Sequence, residues 1–326
     1  MLDLFEDIRV GTYNVGGGVA EQKETPFDKR IPALLKLIEQ AKLDILAIQE
    51  LRRHPDTKMS PEEFCLRVSQ AMGGSHYQMQ RSNPSDLAFG KVIFWNPKRF
   101  FMHSTVTHYL SDCPTEVSDT WPPTKDESKP GFGFPVLQVN LNLVHEGKIV
   151  RSCNTGLVPV LEVLNVHFPP FNEATKLKCS NQVASLFDWR SDDVLIMGDF
   201  NSFSETRVPD ENGIHKMQGG YQLRDQTESL YDIDGVKQSG TFLGFKSDSY
   251  KCHAVDAKGS SRAVQLGEEH HPMSHLDHIY TSDNIQGNGV STLHSANKDL
   301  VHRNIPSDHI LVSCPVSLKR LILSYW

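Results

Sequence analysis

The stretch Val194-Leu195-Ile196-Met197-Gly198-Asp199-Phe200-Asn201 decides how this chain is read. Four apolar residues in a row read as a buried strand. The run then stops on a glycine, a carboxylate and an amide, as a strand end does when it lifts polar groups into a cleft. The same grammar recurs outward from this point: TYN ending at Asn14, QE ending at Glu50 and NVH ending at His167 lie upstream. Downstream come LDH, with Asp277 and His278, and SDH, from Ser307 to His309. Each polar group closes an apolar run.

The segments between these motifs set the architecture. Ile8 to Val15 alternates like a strand and leads into the flexible turn Gly16-Gly17-Gly18. Phe27 to Ala41 places Ile31, Leu34, Leu35 and Ile38 at helical spacing, with Lys29, Lys36 and Glu39 on the wet side. Pro32 is expected in the first turn of that helix. Leu43 to Gln49 is a near-continuous apolar run, as expected of a strand covered on both faces. A helix is expected from Pro61 to about Met72, and a strand from Lys91 to Trp95, closed by Asn96-Pro97. Val136 to Leu143 and Lys148 to Cys153 read as a hairpin around Glu146-Gly147. Val160 to Val166 reads as a strand, followed after Pro170 by a helix to about Trp189. Leu276 to Thr281 and His309 to Val316 supply the last strands. The polar stretches 103–135 and 202–240 read as loop insertions, long enough to be functional or disordered.

Helices separate some strand pairs and hairpins join others, so neither an all-parallel sheet nor an all-β sandwich fits. The expectation is an α/β (α+β) fold: a four-layer αββα sandwich of two mixed β-sheets with outer helices, forming one domain over residues 1–326.

Composition narrows the class. Lys plus Arg number 33 against 40 Asp plus Glu, a formal net charge of −7, which argues against coating nucleic acid by charge alone. It leaves room for a nuclease whose acidic cup faces a cation. Six cysteines without a CxxC pair argue against structural zinc and a disulfide framework. The start, MLDLFEDIRV, is acidic and holds the first strand, unlike a signal peptide. No run of about 18 apolar residues exists. A cytoplasmic protein with no stable membrane insertion and no obligate protein partner is expected.

Oxygen ligands, amides and histidines in this arrangement suit Mg2+ and a phosphate, because Mg2+ takes oxygen donors and His can protonate or polarise a phosphoryl oxygen. Mn2+ is expected to substitute for Mg2+ in vitro. Glu50, after an apolar run, needs a partner, a metal or water, a solvated strand end being the plain alternative. In GDFN, Asp199 reads as a base or ligand and Asn201 as a donor to a phosphate oxygen or an attacking water. Turn chemistry is the competing account of the same residues. Asp308 and His309 are neighbours on a strand and act at one site only if the pair sits at its edge. Asp277, from another strand, is placed to orient His309. His167 precedes the rigid exit Phe168-Pro169-Pro170. Trp121, Phe132, Phe134 and Phe242 read either as pins for long loops or as a stacking rim, worth about 1–3 kcal/mol per stacked base.

Taken together and in this order, from Asn14 to His309, the motifs resemble the endonuclease/exonuclease/phosphatase superfamily, the deoxyribonuclease-I-like fold. The resemblance implies that Glu50 binds Mg2+, with Asp308 assisting and Asn14 organising the cluster. It implies that Asp199 and Asn201 position and activate water, Asp199 being the choice of general base. His309, oriented by Asp277, would contact the scissile phosphate, and His167 would stabilise the same charge. His167 stands where apurinic-site endonucleases carry tyrosine, and Leu276-Asp277-His278 where inositol polyphosphate 5-phosphatases carry C-D-R, which disfavours both branches. GDFNS from Gly198 to Ser202 and PSDHI from Pro306 to Ile310 look like the deadenylase and 2′-phosphodiesterase branch. Leu110-Ser111-Asp112-Cys113-Pro114, Trp121 and Thr241-Phe242-Leu243-Gly244-Phe245 resemble a set of bacterial-type hydrolases. The implied activity is a Mg2+-dependent phosphodiesterase, a nuclease on RNA or single-stranded DNA. A phosphatase or phosphodiesterase of a small or lipid phosphoester (sugar phosphate, inositol phosphate, sphingomyelin-type) is the alternative. A non-catalytic binding relative is the third reading.

Overall fold

The computed structural model describes residues 2–16, 27–51, 59–80, 90–111, 115, 134–150, 160–169, 173–186, 193–201, 223–227, 230–232, 237–238, 251–255, 261–265, 276–288, 291–294, 307 and 309–322. In chain order the elements are β1 (Leu2–Asn14), α1 (Phe27–Ala41), β2 (Ile45–Leu51), α2 (Pro61–Ala71), β3 (His76–Gln80), β4 (Gly90–Trp95) and β5 (Phe100–Leu110). Then come β6 (Phe134–His145), β7 (Lys148–Ile149), β8 (Val160–His167), α3 (Glu173–Ala184), β9 (Asp193–Asp199), β10 (Arg224–Asp225), β11 (Leu230–Asp232) and β12 (Lys237–Gln238). The last are β13 (Lys251–Val255), β14 (Ser261–Gln265), β15 (Asp277–Thr281), β16 (Ile285–Gly287), β17 (Ser291–His294) and β18 (Leu311–Ile322).

One large sheet runs β12-β11-β17-β18-β1-β2-β4-β3, with β16 on β18; the other large sheet runs β10-β15-β9-β8-β6-β5, with β7 on β6, and β13 pairs with β14 alone. Both large sheets are mixed. In the first, β1 and β2 are parallel while β18 lies antiparallel to β1, pairing Leu2 with Ile322 through to Thr12 with Val312. In the second, β8 and β9 are parallel and β15 is antiparallel to β9. Among the described residues, no helix is long and apolar enough to cross a membrane.

Strand periodicity sorts the side chains into layers. Val10, Ile45, Ala47, Ile93, Trp95 and Val312 of the first sheet meet Leu137, Val139, Val163, Leu195, Met197 and Ile279 of the second in the core between the sheets. The alternate residues of the first sheet, Tyr13, Leu46, Ile48, Val92 and Phe94, pack against Ile31, Leu34, Ile38, Phe64 and Val68 of α1 and α2. Those of the second sheet, Leu164, Val166, Val194, Ile196 and Tyr280, cover Cys179 and Val183 of α3. The result is the expected helix–sheet–sheet–helix layering. A one-residue slip of any strand would exchange its two faces, so these paired cores hold the register.

The inward rows turn polar at one rim. Val10 is followed on the same face by Thr12 and Asn14, Ala47 by Gln49, Val163 by Asn165 and His167, and Met197 by Asp199. The register β2 keeps with β4 breaks there: Ile48 pairs with Val92 and Leu51 with Gly90, so Gln49 and Glu50 together oppose Lys91. This is a β-bulge, which bends a strand and re-aims a side chain. Alternation would send Glu50 to the helix side. Instead it adopts φ +60°, a conformation few bulky residues take, and faces the rim.

The bulge is held from across the sandwich. Asn165 donates its Nδ2 to the carbonyls of Ile48 and Val92, at 2.8 and 2.9 Å, while its Oδ1 accepts from Gln49 Nε2 at 2.8 Å. Gln49 Nε2 also donates to Thr12 Oγ1 at 3.1 Å. A side-chain amide of one sheet thus satisfies two backbone carbonyls of the other.

Several local expectations change. The expected loop insertion 202–240 contains β10, β11 and β12, short strands on the outer edges of the two large sheets. Residues 103–110, expected as loop, belong to β5, the outermost described strand of its sheet. Its Ser, Thr and His residues look like loop because one edge and much of its surface meet solvent. Pro32 is the sixth residue of α1 rather than part of its first turn. A proline there forfeits one backbone bond, which the buried face of Ile31, Leu34, Leu37 and Ile38 offsets.

Asn165→Leu is expected to cost about 2–4 kcal/mol in urea unfolding, since buried carbonyls lose their donor. Adding Gln49→Met should cost less than the two single changes summed, because both ends of one bond then disappear together. Additivity would refute a coupled pair.

Candidate active site

Asn14, at the end of β1, is the hub of the rim. Its Nδ2 donates to Glu50 Oε1 at 3.1 Å and to Asp199 Oδ2 at 2.9 Å, and lies 3.5 Å from His309 Nε2. Its Oδ1 accepts from the Gly16 N–H at 2.9 Å. The amide therefore presents donors to the acids and draws together carboxylates from both sheets. Arg30, fully buried on α1, donates to the carbonyls of Val15 and Gly16 and fixes the chain as it leaves β1. Ser307 Oγ donates to the Asn14 carbonyl at 2.6 Å and accepts from the His309 N–H at 3.2 Å.

Asp199 ends β9 beside β8. Gly198 precedes it at φ +156°, and an added Cβ would strike the Val166 carbonyl, so glycine is required by the closeness of β8. Asp199 Oδ1 accepts from the Asn201 N–H at 2.8 Å, which locks the carboxylate. Asn201, in the left-handed region at φ +48°, donates its Nδ2 to the Phe168 carbonyl at 2.8 Å and ties the exits of β8 and β9 together. Burial pushes the Asp199 carboxyl up to about 7. The His309 charge and the Asn14 and Asn201 hydrogen bonds pull it down, while Asp277 adds to the rise.

His309 places Nδ1 2.8 Å from Asp277 Oδ2, and its Nε2 faces Asp199 Oδ2 at 3.7 Å. Asp277, fully buried, can thus fix both ring orientation and tautomer. His167 Nε2 lies 3.6 Å from Asp199 Oδ2 and 3.8 Å from Glu50 Oε1. Burial first, then the charges of Lys91 and His309, hold the His167 pKa well below the usual histidine range, so the ring is neutral near pH 7. His278, next to Asp277, faces the helix side, pairing with Asp225 at 2.8 Å and packing on Phe200 and Tyr280.

Asn14, Glu50, His167, Asp199, Asn201, Asp277 and His309 therefore converge, while Asp308, Trp121 and Phe242 lie outside the described residues. Lys91, not singled out from the sequence, joins the convergent set. It precedes Ile93 and Trp95 on the inward row of β4, and that parity was the available signal. Gln49, Asn165 and Thr12 were likewise present in QE, NVH and TYN as the second polar residue of each motif.

The donor set fits a hard divalent cation. Ligand atoms of Asp199, Asp277 and His309 all lie within 4.8 Å of one another. Glu50 and Asp199 are held side by side on one amide. Oxygen donors in a nearly dry site match Mg2+ or Mn2+ rather than a thiolate-seeking metal.

Known proteins share this arrangement of sheets. A structure from Bacteroides thetaiotaomicron described as an endonuclease/exonuclease/phosphatase family protein has TM-score 0.67 at 16% identity, over 97% of this chain and 99% of that one. A mannosyl-6-phosphatase of the same organism gives 0.63 at 15% identity, over 95% and 99%. The human Nocturnin catalytic domain with a bound sulfate anion gives 0.56 at 15%, over 98% and 97%. D. rerio TDP2 complexed with a single strand DNA product gives 0.57 at 12%, over 95% and 98%. At these identities the likeness is one of fold. No curated protein matches the sequence. The sequence profile of the Endonuclease/Exonuclease/phosphatase family, however, matches residues 11–309, and the chain belongs to that family.

Proposed function

We propose that the protein is a metal-dependent phosphodiesterase, a nuclease acting on RNA or single-stranded DNA. The observation that carries this reading is the Asn14 amide joining Glu50 to Asp199, with the Asp277–His309 pair closing on the same carboxylate. Asp199 is the general base: its pKa near 7 suits taking a proton from an attacking water at neutral pH. The Asn201 N–H on Oδ1 holds that carboxylate, leaving Oδ2 toward the rim. Asp277 keeps the His309 proton on Nδ1 or holds the ring as imidazolium, and the Nε2 side meets a phosphoryl oxygen. His167, neutral, offers a hydrogen bond at Nε2 rather than a charge. A Mg2+ ion held by Glu50, with Asp308 assisting, would neutralise phosphate oxygens and polarise the scissile bond.

TDP2, seen with a DNA product, and Nocturnin, seen with sulfate, lend support to a nucleic-acid or phosphoryl substrate on this fold. A second reading is a phosphatase or phosphodiesterase of a small phosphoester. It is favoured by the net charge of −7, which gives no electrostatic footprint for a long polyanion. The mannosyl-6-phosphatase is an example of that chemistry on a related scaffold.

The deciding experiment is a Mg2+-dependent hydrolysis screen of oligo(A), a 2′-5′ linked oligomer, single- and double-stranded DNA, inositol and sugar phosphates and a choline phospholipid. Asp199→Asn should lower kcat on the order of 10²–10⁴-fold, and EDTA should abolish turnover. Cleavage confined to small phosphoesters would replace the nuclease reading, and an Asp199→Asn protein at full rate would remove the base assignment. Asp277→Asn should also lower kcat, by roughly 10⁴-fold if it imposes the wrong histidine tautomer.

Asp199 also predicts a pH signature of the metal-free protein. Its folded pKa of about 7 lies above the ordinary 3.8, so the folded state binds the extra proton between those values. The resulting stabilisation is complete below the lower value and lost as pH rises through the upper one. In EDTA, the melting temperature of Asp199→Asn should equal that of the parent at acid pH and exceed it by several degrees at pH 8. A difference that stays flat across this window would refute the buried-acid assignment.

A further inference from the structure

Among the described residues, Arg30 is the largest side chain to be fully buried, at 1% exposure. It lies on the buried face of α1 with Phe27, Ile31 and Leu34, and its guanidinium sits 5.2 Å from the centre of the Phe27 ring. A guanidinium keeps its charge when buried, so it needs acceptors. Nη1 donates to the Val15 carbonyl at 3.1 Å and Nη2 to the Gly16 carbonyl at 3.2 Å. Successive carbonyls of an extended chain point to opposite sides. The left-handed turn at Gly16, with φ +57°, brings both onto one guanidinium.

The Val15 carbonyl belongs to the same peptide unit as the Gly16 N–H, and that N–H donates to Asn14 Oδ1 at 2.9 Å. One rigid plane therefore carries the cation at its oxygen and the Asn14 amide at its hydrogen. A carbonyl drawn toward a charge makes the N–H at the other end a stronger donor. A side-chain amide can sit either way round. With Oδ1 on this donor, Nδ2 meets Glu50 at 3.1 Å and Asp199 at 2.9 Å. Turned over, an oxygen would face both carboxylates.

Resting on the functional reading above, we propose that Arg30 is a positioning residue of the active site, which acts through the Val15–Gly16 peptide to keep the Asn14 amide turned toward Glu50 and Asp199. It acts at one remove: the guanidinium fixes the peptide, the peptide fixes the amide, and the amide holds the two carboxylates together. Helix α1, packed on the outer face of the first sheet through Ile31, Leu34 and Ile38, thereby takes part in the geometry of the rim. A lysine would keep the charge but lose the planar fork that spans two consecutive carbonyls.

The test compares the full-length parent with Arg30→Met, Asn14→Ala and the double variant. In the metal-free protein, proton–nitrogen NMR follows the Asn14 side-chain NH2 signals, assigned by their disappearance in Asn14→Ala. They should lie apart from the exposed-amide region in the parent and move toward it in Arg30→Met. Mn2+ titration, followed by electron paramagnetic resonance, should show Arg30→Met binding on the order of tenfold more weakly. In the Asn14→Ala background the same change should leave Mn2+ affinity unaltered while still lowering the urea midpoint. A clamp that only stabilises α1 would change Mn2+ affinity equally in both backgrounds, or in neither.

Should Arg30→Met not fold, Arg30→Lys takes its place, with a smaller shift in the same direction. Unmoved Asn14 signals, or an Mn2+ loss of equal size in both backgrounds, overturns the proposal. Hydrolysis by the parent with Asn14 signals that stay put in the variant overturns the role of Arg30 alone. Moved Asn14 signals in a protein that hydrolyses nothing on the screening panel overturn the functional reading and uphold the hold of Arg30 on the amide.

Discussion

The side-chain amide of Asn165 is the contact on which the rest of the site depends. It comes from β8 in one sheet and satisfies the carbonyls of Ile48 and Val92 in the other, at the point where β2 and β4 fall out of step. Buried carbonyls without donors are costly, so the bulge exists only where a donor can reach it. The bulge in turn puts Glu50 into the left-handed region and swings its carboxylate from the helix face to the rim. A metal-ligand candidate on the first sheet is therefore aimed by a residue of the second. Sheet packing and site geometry become one constraint.

Glu50, Asp199 and Asp277 crowd a space with little solvent, and donors from neighbouring segments hold them there: Asn14, the Asn201 N–H and His309. Burial first, with the nearby charge of Asp277 adding to it, raises the carboxyl pKa of Asp199. The same crowding makes the cluster receptive to a cation. Preorganisation of this kind is maintained by the folded protein at some cost to its stability. The apolar layers on either side of both sheets provide the margin.

Much of this was legible in the sequence because each of Asn14, Glu50, His167 and Asp199 terminates an apolar run, and a strand end is where a polar side chain can leave the core. The layering was legible for the same reason, since alternation assigns each strand two faces. The bulge was not. An inserted residue is visible only in the partner strand's register, and QE reads the same with or without it. Lys91 reads as the polar start of an otherwise apolar strand, although its parity with Ile93 and Trp95 points it inward. Asn165 was overshadowed by His167 two positions on, when that spacing places both on one face. Strand β5 reads as loop because an outer strand can carry Ser, Thr and His without loss. Asp308, Trp121 and Phe242 fall outside the described residues.

The pairing of β1 with β18 carries a temporal consequence. Residues 2–12 form their ladder with residues 312–322, so the sheet that bears Asn14 and Glu50 is completed only when that distant segment arrives. His309 and Ser307 sit just before that last strand and reach Asn14 directly. Contacts of such long sequence separation form late and slowly. During synthesis, Glu50 would wait without His309 while the emerging chain is still short. Assembly of the cluster is thus tied to β18, and a chain interrupted before it would hold Asn14 and Glu50 without the ladder that completes their sheet.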